Sequence, residues 1–95
     1  MKDYFYINRQ ITEKEWFKKD TWALWLLLSL IIREKISSRT DAVIMTQTQM
    51  ECKYGKHWRQ IRKSLSALEK EGDVTIARMG RVMAIRVTSD CIKFE

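Results

Sequence analysis

The sequence contains no proline, only three glycines, two cysteines and one histidine, and each scarcity removes a class of explanation. Without proline, and without any Gly- or Ser-rich run, no stretch reads as a flexible linker or a low-complexity tail. The 95 residues therefore suit a single domain. Gly55, Gly72 and Gly80 stand too far apart to build a glycine-rich phosphate loop. Cys52 and Cys91 lie 39 positions apart, with no signal segment before them. That is the pattern of neither a disulfide framework nor a zinc site, so both are expected to be free thiols of a cytoplasmic protein. His57 has no second histidine or cysteine at ligand spacing, and no metal or other cofactor is expected. No nucleophile-elbow spacing occurs, and the scattered carboxylates form no acid/base pair. The chain is not expected to be an enzyme.

What is present is apolar bulk and positive charge. Hydrophobic residues make up 45%, including four Trp, three Tyr and three Phe, which is too many buried-type side chains for a disordered chain. The longest apolar run covers residues 22–32, eleven residues with a single serine. A membrane-spanning helix needs about 20, so this run reads as a helix buried around most of its circumference, and no membrane partner is expected. Lys and Arg outnumber Asp and Glu by 18 to 12, a net charge of +6. Eight basic and three acidic residues fall within residues 56–88, so this third of the chain carries +5 of that charge. Such a balance favours an anionic partner.

Periodicity gives the order of elements. Tyr4 to Ile11 alternate as a short strand or extended arm, with Phe5 and Ile7 on one side and Tyr4 and Tyr6 on the other. Thr12 is placed to cap a helical turn holding Trp16 and Phe17. Asp20 or Thr21 begins a long helix that ends near Glu34, where Arg33 and Lys35 suit the helix dipole. A polar loop follows, then a small strand at Val43-Ile44-Met45-Thr46. Thr46 or Thr48 starts a short helix that ends at Tyr54-Gly55. The next helix spans residues 57–71, with Ile61, Leu65 and Leu68 as its apolar stripe. After Gly72 the period changes to two: Val74 and Ile76, then Met83, Ile85 and Val87, with Met79-Gly80 as the turn of a β-hairpin. The expected fold is α+β, mainly α. It is a single winged helix-turn-helix domain over residues 1–95, with three helices, an arm over residues 1–11 and a C-terminal hairpin wing over residues 73–88.

The helix over residues 57–71 carries the functional signal. Off its apolar stripe and near its start stand His57, Trp58, Arg59, Gln60, Arg62 and Lys63. A recognition helix reads base edges from its N-terminal turns. Arg forks onto guanine and Gln onto adenine, while Lys and free helix amides suit phosphate. Arg59, Gln60 and Lys63 are therefore expected near bases of double-stranded DNA. Lys56, Arg62, Arg78 and Arg81 are expected on phosphates, the last two bracketing the hairpin tip. His57 is either an N-cap or a phosphate contact. Trp58 either extends the core stripe or faces DNA. A domain of this size reads few base pairs, so specific binding implies a homodimer, with the N-terminal arm and Trp-rich helix as the expected contact.

These residues resemble the N-terminal winged-helix domain of phage replisome organisers and DnaD-like replication initiation proteins. The likeness runs through Phe5, Ile7, Arg9, Ile11 and Trp16, the apolar helix with its Leu-Trp-Leu-Leu-Leu-Ser-Leu core, and Val43 to Thr46. It continues through QIRKSLSALEKEG over residues 60–72, Val74-Thr75-Ile76, Gly80-Arg81 and Ile85-Arg86-Val87. The family's usual Ser or Thr at the start of the recognition helix is replaced by His57-Trp58. The resemblance implies a DNA-binding protein of a phage or mobile element, acting in replication initiation or transcriptional control. Longer family members continue into a second domain that contacts other replication proteins, which makes such proteins expected partners. The rival reading is a protein-interaction or oligomerisation module whose working surface is aromatic.

Overall fold

The computed structural model describes residues 4–94; the first three residues of the expected arm and Glu95 lie outside them. Strand β1 is Phe5–Ile7. A 3-10 turn, Arg9–Glu13, leads into helices α1, Glu15–Lys19, and α2, Thr21–Ile32. Strand β2, Val43–Thr46, precedes helices α3, Gln47–Tyr54, and α4, Trp58–Lys70. Strands β3, Val74–Met79, β4, Val82–Val87, and β5, Ile92–Phe94, complete the chain. The architecture is α+β with four α-helices, one more than expected. The turn that holds Trp16 and Phe17 is a helix of its own, because Asp20 adopts φ −137° and ψ 88° and breaks it from α2.

The capping expected of Thr12 does not occur. Asn8 caps the 3-10 turn by accepting from the Gln10 amide at 2.8 Å, and the Thr12 hydroxyl instead donates to the Arg9 carbonyl. Strand β5 lies beyond the expected wing and is not among the expected elements. This strand pairs antiparallel with β1, Phe5 opposite Phe94 and Ile7 opposite Ile92. Strand β1 is thus held by backbone hydrogen bonds rather than extended free. Phe5 packs against the core while Ile7, expected on the same face, is 42% exposed.

The other sheet has the order β2-β4-β3, antiparallel throughout. Rows Val43–Ile85–Ile76 and Met45–Met83–Arg78 run across it. Alternation along each strand puts these rows on one face, against helices α2, α3 and α4. The core there holds Leu26, Leu27, Leu30, Met50, Ile61, Leu68 and Ile85, all without exposed surface. The hairpin turn is Gly80-Arg81, one residue later than Met79-Gly80, since Met79 pairs with Val82. Glycine then occupies the first loop position at φ 63°, where a two-residue hairpin turn takes a left-handed residue most readily.

A buried acid ties the ends together. Asp73, fully buried at the entrance to β3, accepts from the Trp16 indole N–H at 2.7 Å and the Ser89 hydroxyl at 2.5 Å. Lys14 lies 3.6 Å from the same carboxylate. Burial disfavours the Lys14 ammonium, but Asp73 and Asp90 outweigh it and hold its pKa above the ordinary lysine value. A buried carboxylate is tolerated only when paired in this way. Nothing local marks Asp73: it reads as a loop residue after Gly72 until Trp16 is brought to it from 57 positions away.

Candidate nucleic-acid interface

Helices α3 and α4 are joined by Gly55, Lys56 and His57. Thr46 starts α3 with a reciprocal pair of hydrogen bonds to Gln49, the capping box that its spacing permits. Gly55 ends α3 at φ 62°, a left-handed conformation that glycine adopts without strain. His57 is the N-cap of α4, its Nδ1 accepting from the Arg59 amide at 3.2 Å. The Trp58 amide donates to the Glu51 carboxylate at 2.9 Å, and the Gln60 and Ile61 amides reach the His57 carbonyl. The first-turn amides expected to be open to phosphate are therefore already used within the chain. Charge at this end of α4 comes from side chains instead.

The helical period sorts those side chains. Ile61, Ser64, Leu65 and Leu68 are buried. Arg59, Lys63, Ser66 and Lys70 follow at steps of four, three and four, forming a stripe opposite the buried one, and all four are exposed. Arg62 flanks this stripe on the hairpin side and is also exposed. The first acid of α4 is Glu69, in its last turn. Among the described residues, no carboxylate pairs with Arg59, Arg62, Lys63 or Arg81.

The nine expected contact residues fall into three sets. His57, Arg59, Gln60 and Lys63 surround a shallow depression at the start of α4. Trp58, Arg62 and Arg78 line a cavity of about 390 Å³ between α4 and the β3–β4 hairpin. Trp58 and Arg78 also line a second cavity, of about 490 Å³, with Arg81 and the Thr46–Thr48 segment. Lys56 stands apart: its ammonium sits 5.6 Å from the ring centroid of Trp22 on α2, a cation–π arrangement. Arg78 is shared, its guanidinium 3.5 Å from Glu69. Trp58 is half-buried against the core, as one of its two expected roles requires, and also borders both cavities.

Away from this face lies an aromatic cluster. Trp22 and Trp25 stack at 5.5 Å, and Tyr54 meets both edge-on at 6.3 and 5.8 Å. Burial raises the Tyr54 pKa, so its hydroxyl stays protonated. Trp25 keeps 43% of its surface exposed and Ile32, at the end of α2, 60%. No described helix is long and apolar enough to cross a membrane. Among the described residues, no group of three His, Cys, Asp or Glu is placed to hold a metal ion. No family model matches the chain, nor does any curated protein or solved structure.

Proposed function

We propose that this chain is a non-enzymatic, double-stranded DNA-binding protein of winged-helix type, with α4 as the recognition helix and the β3–β4 hairpin as the wing. The observation that carries this reading is the outward stripe of Arg59, Lys63 and Lys70, flanked by Arg62 and free of acid over its first two turns. Side chains at that end of a helix reach base edges in a major groove. Arg81 at the hairpin tip is then positioned for a neighbouring phosphate, and Arg62 for another. The role in a phage or mobile element, in replication initiation or transcriptional control, rests on the resemblance carried by the arm, the Trp-rich helix and the wing.

The test is fluorescence anisotropy of a labelled random duplex over a series of salt concentrations, beside the Arg59→Ala/Arg62→Ala variant. Micromolar binding that weakens with salt is expected, and losing one phosphate contact should reduce the slope of log affinity against log salt by roughly 1. No salt-dependent binding in the micromolar range would sink the reading. A second reading, a protein-interaction or oligomerisation module, is favoured by the exposed apolar surface of Trp25, Ile32, Tyr4 and Tyr6. It gains if the double variant keeps full biological activity. The two readings meet if the same surface joins two copies on DNA, which sedimentation with and without duplex would reveal.

A further inference from the structure

The two cavities on either side of Trp58 do more than extend a duplex-binding face. A duplex presents phosphates on its outside and base edges in its grooves, and neither needs a recess. The space between α4 and the hairpin is a half-open groove of about 390 Å³, comparable in volume to small-molecule sites. Its wall combines the half-buried Trp58 with Met83 and Leu65 as apolar elements, and Arg62 and Arg78 as cations. The adjoining 490 Å³ space adds Arg81 together with the hydroxyl-bearing Thr46 and Thr48. Among the described residues, the one carboxylate that pairs with these arginines is Glu69, 3.5 Å from Arg78. An indole and apolar side chains beside two or three guanidiniums suit a ligand that is flat and aromatic at one end and anionic at the other.

We propose that this recess takes an unpaired nucleotide of a DNA strand, its base against Trp58 and its phosphate between Arg62 and Arg78 or Arg81. The proposal rests on the DNA-binding reading above, since both use Arg62, but it assigns a different state of the DNA: a base out of its stack. Aromatic stacking is the means by which proteins hold single strands, because every base offers a π face whatever its sequence. The reach is short. Trp58 begins α4 one residue after the cap, and Arg62 stands one helical turn further on the same side, the spacing at which two side chains of a helix meet one ligand. A protein built this way would favour DNA with a frayed, bulged or single-stranded position over a perfect duplex.

The experiment compares oligo-dT of eight nucleotides, a blunt duplex and free thymidine monophosphate as ligands of the full chain. Wild type, Trp58→Phe and Trp58→Leu are each measured after their folding is checked by circular dichroism. The expected result is that Trp58→Leu lowers the affinity ratio of oligo-dT to duplex by about tenfold, within what one stacked base contributes, and that Trp58→Phe restores most of it. A second measurement reads the wild-type protein itself and needs only the conservative Trp58→Phe variant, for assignment. In protein labelled with 5-fluorotryptophan, one of the four tryptophan resonances should move on adding oligo-dT, and it should be the one missing in Trp58→Phe. If the monophosphate moves that resonance at concentrations where oligo-dT does not, the recess binds a free nucleotide and the DNA-strand proposal is overturned. If oligo-dT leaves the resonance in place and the affinity ratio is the same in all three proteins, the proposal is also overturned, whether or not duplex binds. If oligo-dT binding depends on Trp58 while duplex shows no salt-dependent binding, the recess stands and the duplex reading falls.

Discussion

Helices α2 and α4 are nearly equal in length, 12 and 13 residues, and they pack against each other, yet they treat the rest of the molecule in opposite ways. Helix α2 contains no charged residue, and Ala23, Leu26, Leu27 and Leu30 have no exposed surface. Its neighbours on several sides, α1, α4 and the sheet, leave it only short outward edges at Trp25 and Ile32. Helix α4 gives one narrow stripe to the core and offers solvent four bases, Arg59, Arg62, Lys63 and Lys70. The contrast separates a helix spent on stability from one with a face left over, the face on which the proposed DNA binding rests. An all-round apolar helix is consumed by folding, and its sequence says little about partners. A two-sided helix keeps a whole face whose composition folding does not dictate, so the absence of acids there is informative.

The largest effect that separates the two is expected from trimming each on its own terms. Leu26→Ala in α2 should cost about 3 kcal/mol of stability, since a fully buried leucine leaves a cavity that its neighbours fill only in part. Lys63→Ala on the outer face of α4 should change stability by less than about 0.5 kcal/mol while weakening duplex binding. Urea denaturation of both variants, with unchanged m-values as the sign of an unchanged unfolding transition, checks the pair. If Lys63→Ala is as damaging to stability as Leu26→Ala, the outer face of α4 is part of the folded structure's support and the contrast collapses.

A smaller effect is expected where the helices meet. Ser64 is 1% exposed on the inner side of α4, and its hydroxyl donates to the Asp20 carboxylate at the start of α2, at 2.7 Å. Ser64→Ala removes that donor and leaves Asp20 partly buried without it, a loss of about 1–2 kcal/mol. Duplex affinity should be unaffected, because Ser64 lies opposite the basic stripe. A stability change near zero would mean that water replaces the hydroxyl and that the helices are joined by apolar packing alone.

Much of this was legible from patterning, because helix α4, strand β2 and the hairpin each bury a face that repeats in the sequence, and α2 is an unbroken run of uncharged, mostly apolar residues. Gly55 marked the end of α3, and Thr46 or Thr48 its start, for a similar reason: a local backbone requirement selects local residues, and the bonds between Thr46 and Gln49 settle the start on Thr46. Apart from the Thr12 cap, the break at Asp20 and the one-residue shift of the hairpin turn, the missed features are relations between distant segments. Strand β5 is only three residues long, and its meaning comes from its partner β1, at the other end of the chain. Asp73 looks like one more loop acid until Trp16 and Ser89 donate to it. Lys56 reads as one more base of the functional face, yet it leans on Trp22 of the apolar helix. In the same way Glu51 closes the start of α4 from across the turn by taking the Trp58 amide, one of those expected to be open to phosphate. Trp58 fits both the core and an outward face by its spacing, and only the hairpin's placement beside it shows that it packs on the core and borders two recesses as well.

The smallest effect concerns the loop by which α2 hands the chain on to β2. Asp41 accepts from both the amide and the hydroxyl of Ser37 at 2.9 Å, and these bonds, the backbone one foremost, hold its pKa below the ordinary 3.8. A carboxyl group depressed in the folded state stabilises it fully above its unfolded pKa, and the contribution is lost as pH falls through the lower folded value. Between pH 7 and 5 the Ser37 amide should therefore keep its hydrogen-bonded chemical shift, and only below pH 3.8 should it move upfield. In Asp41→Asn the same resonance should lose this titration, with little change in thermal midpoint near neutral pH. An amide that titrates at or above pH 3.8 would show that the loop is not fixed by this carboxylate. The exit of α2 would then depend, like the helix itself, on apolar burial alone, with Ile36 as its anchor.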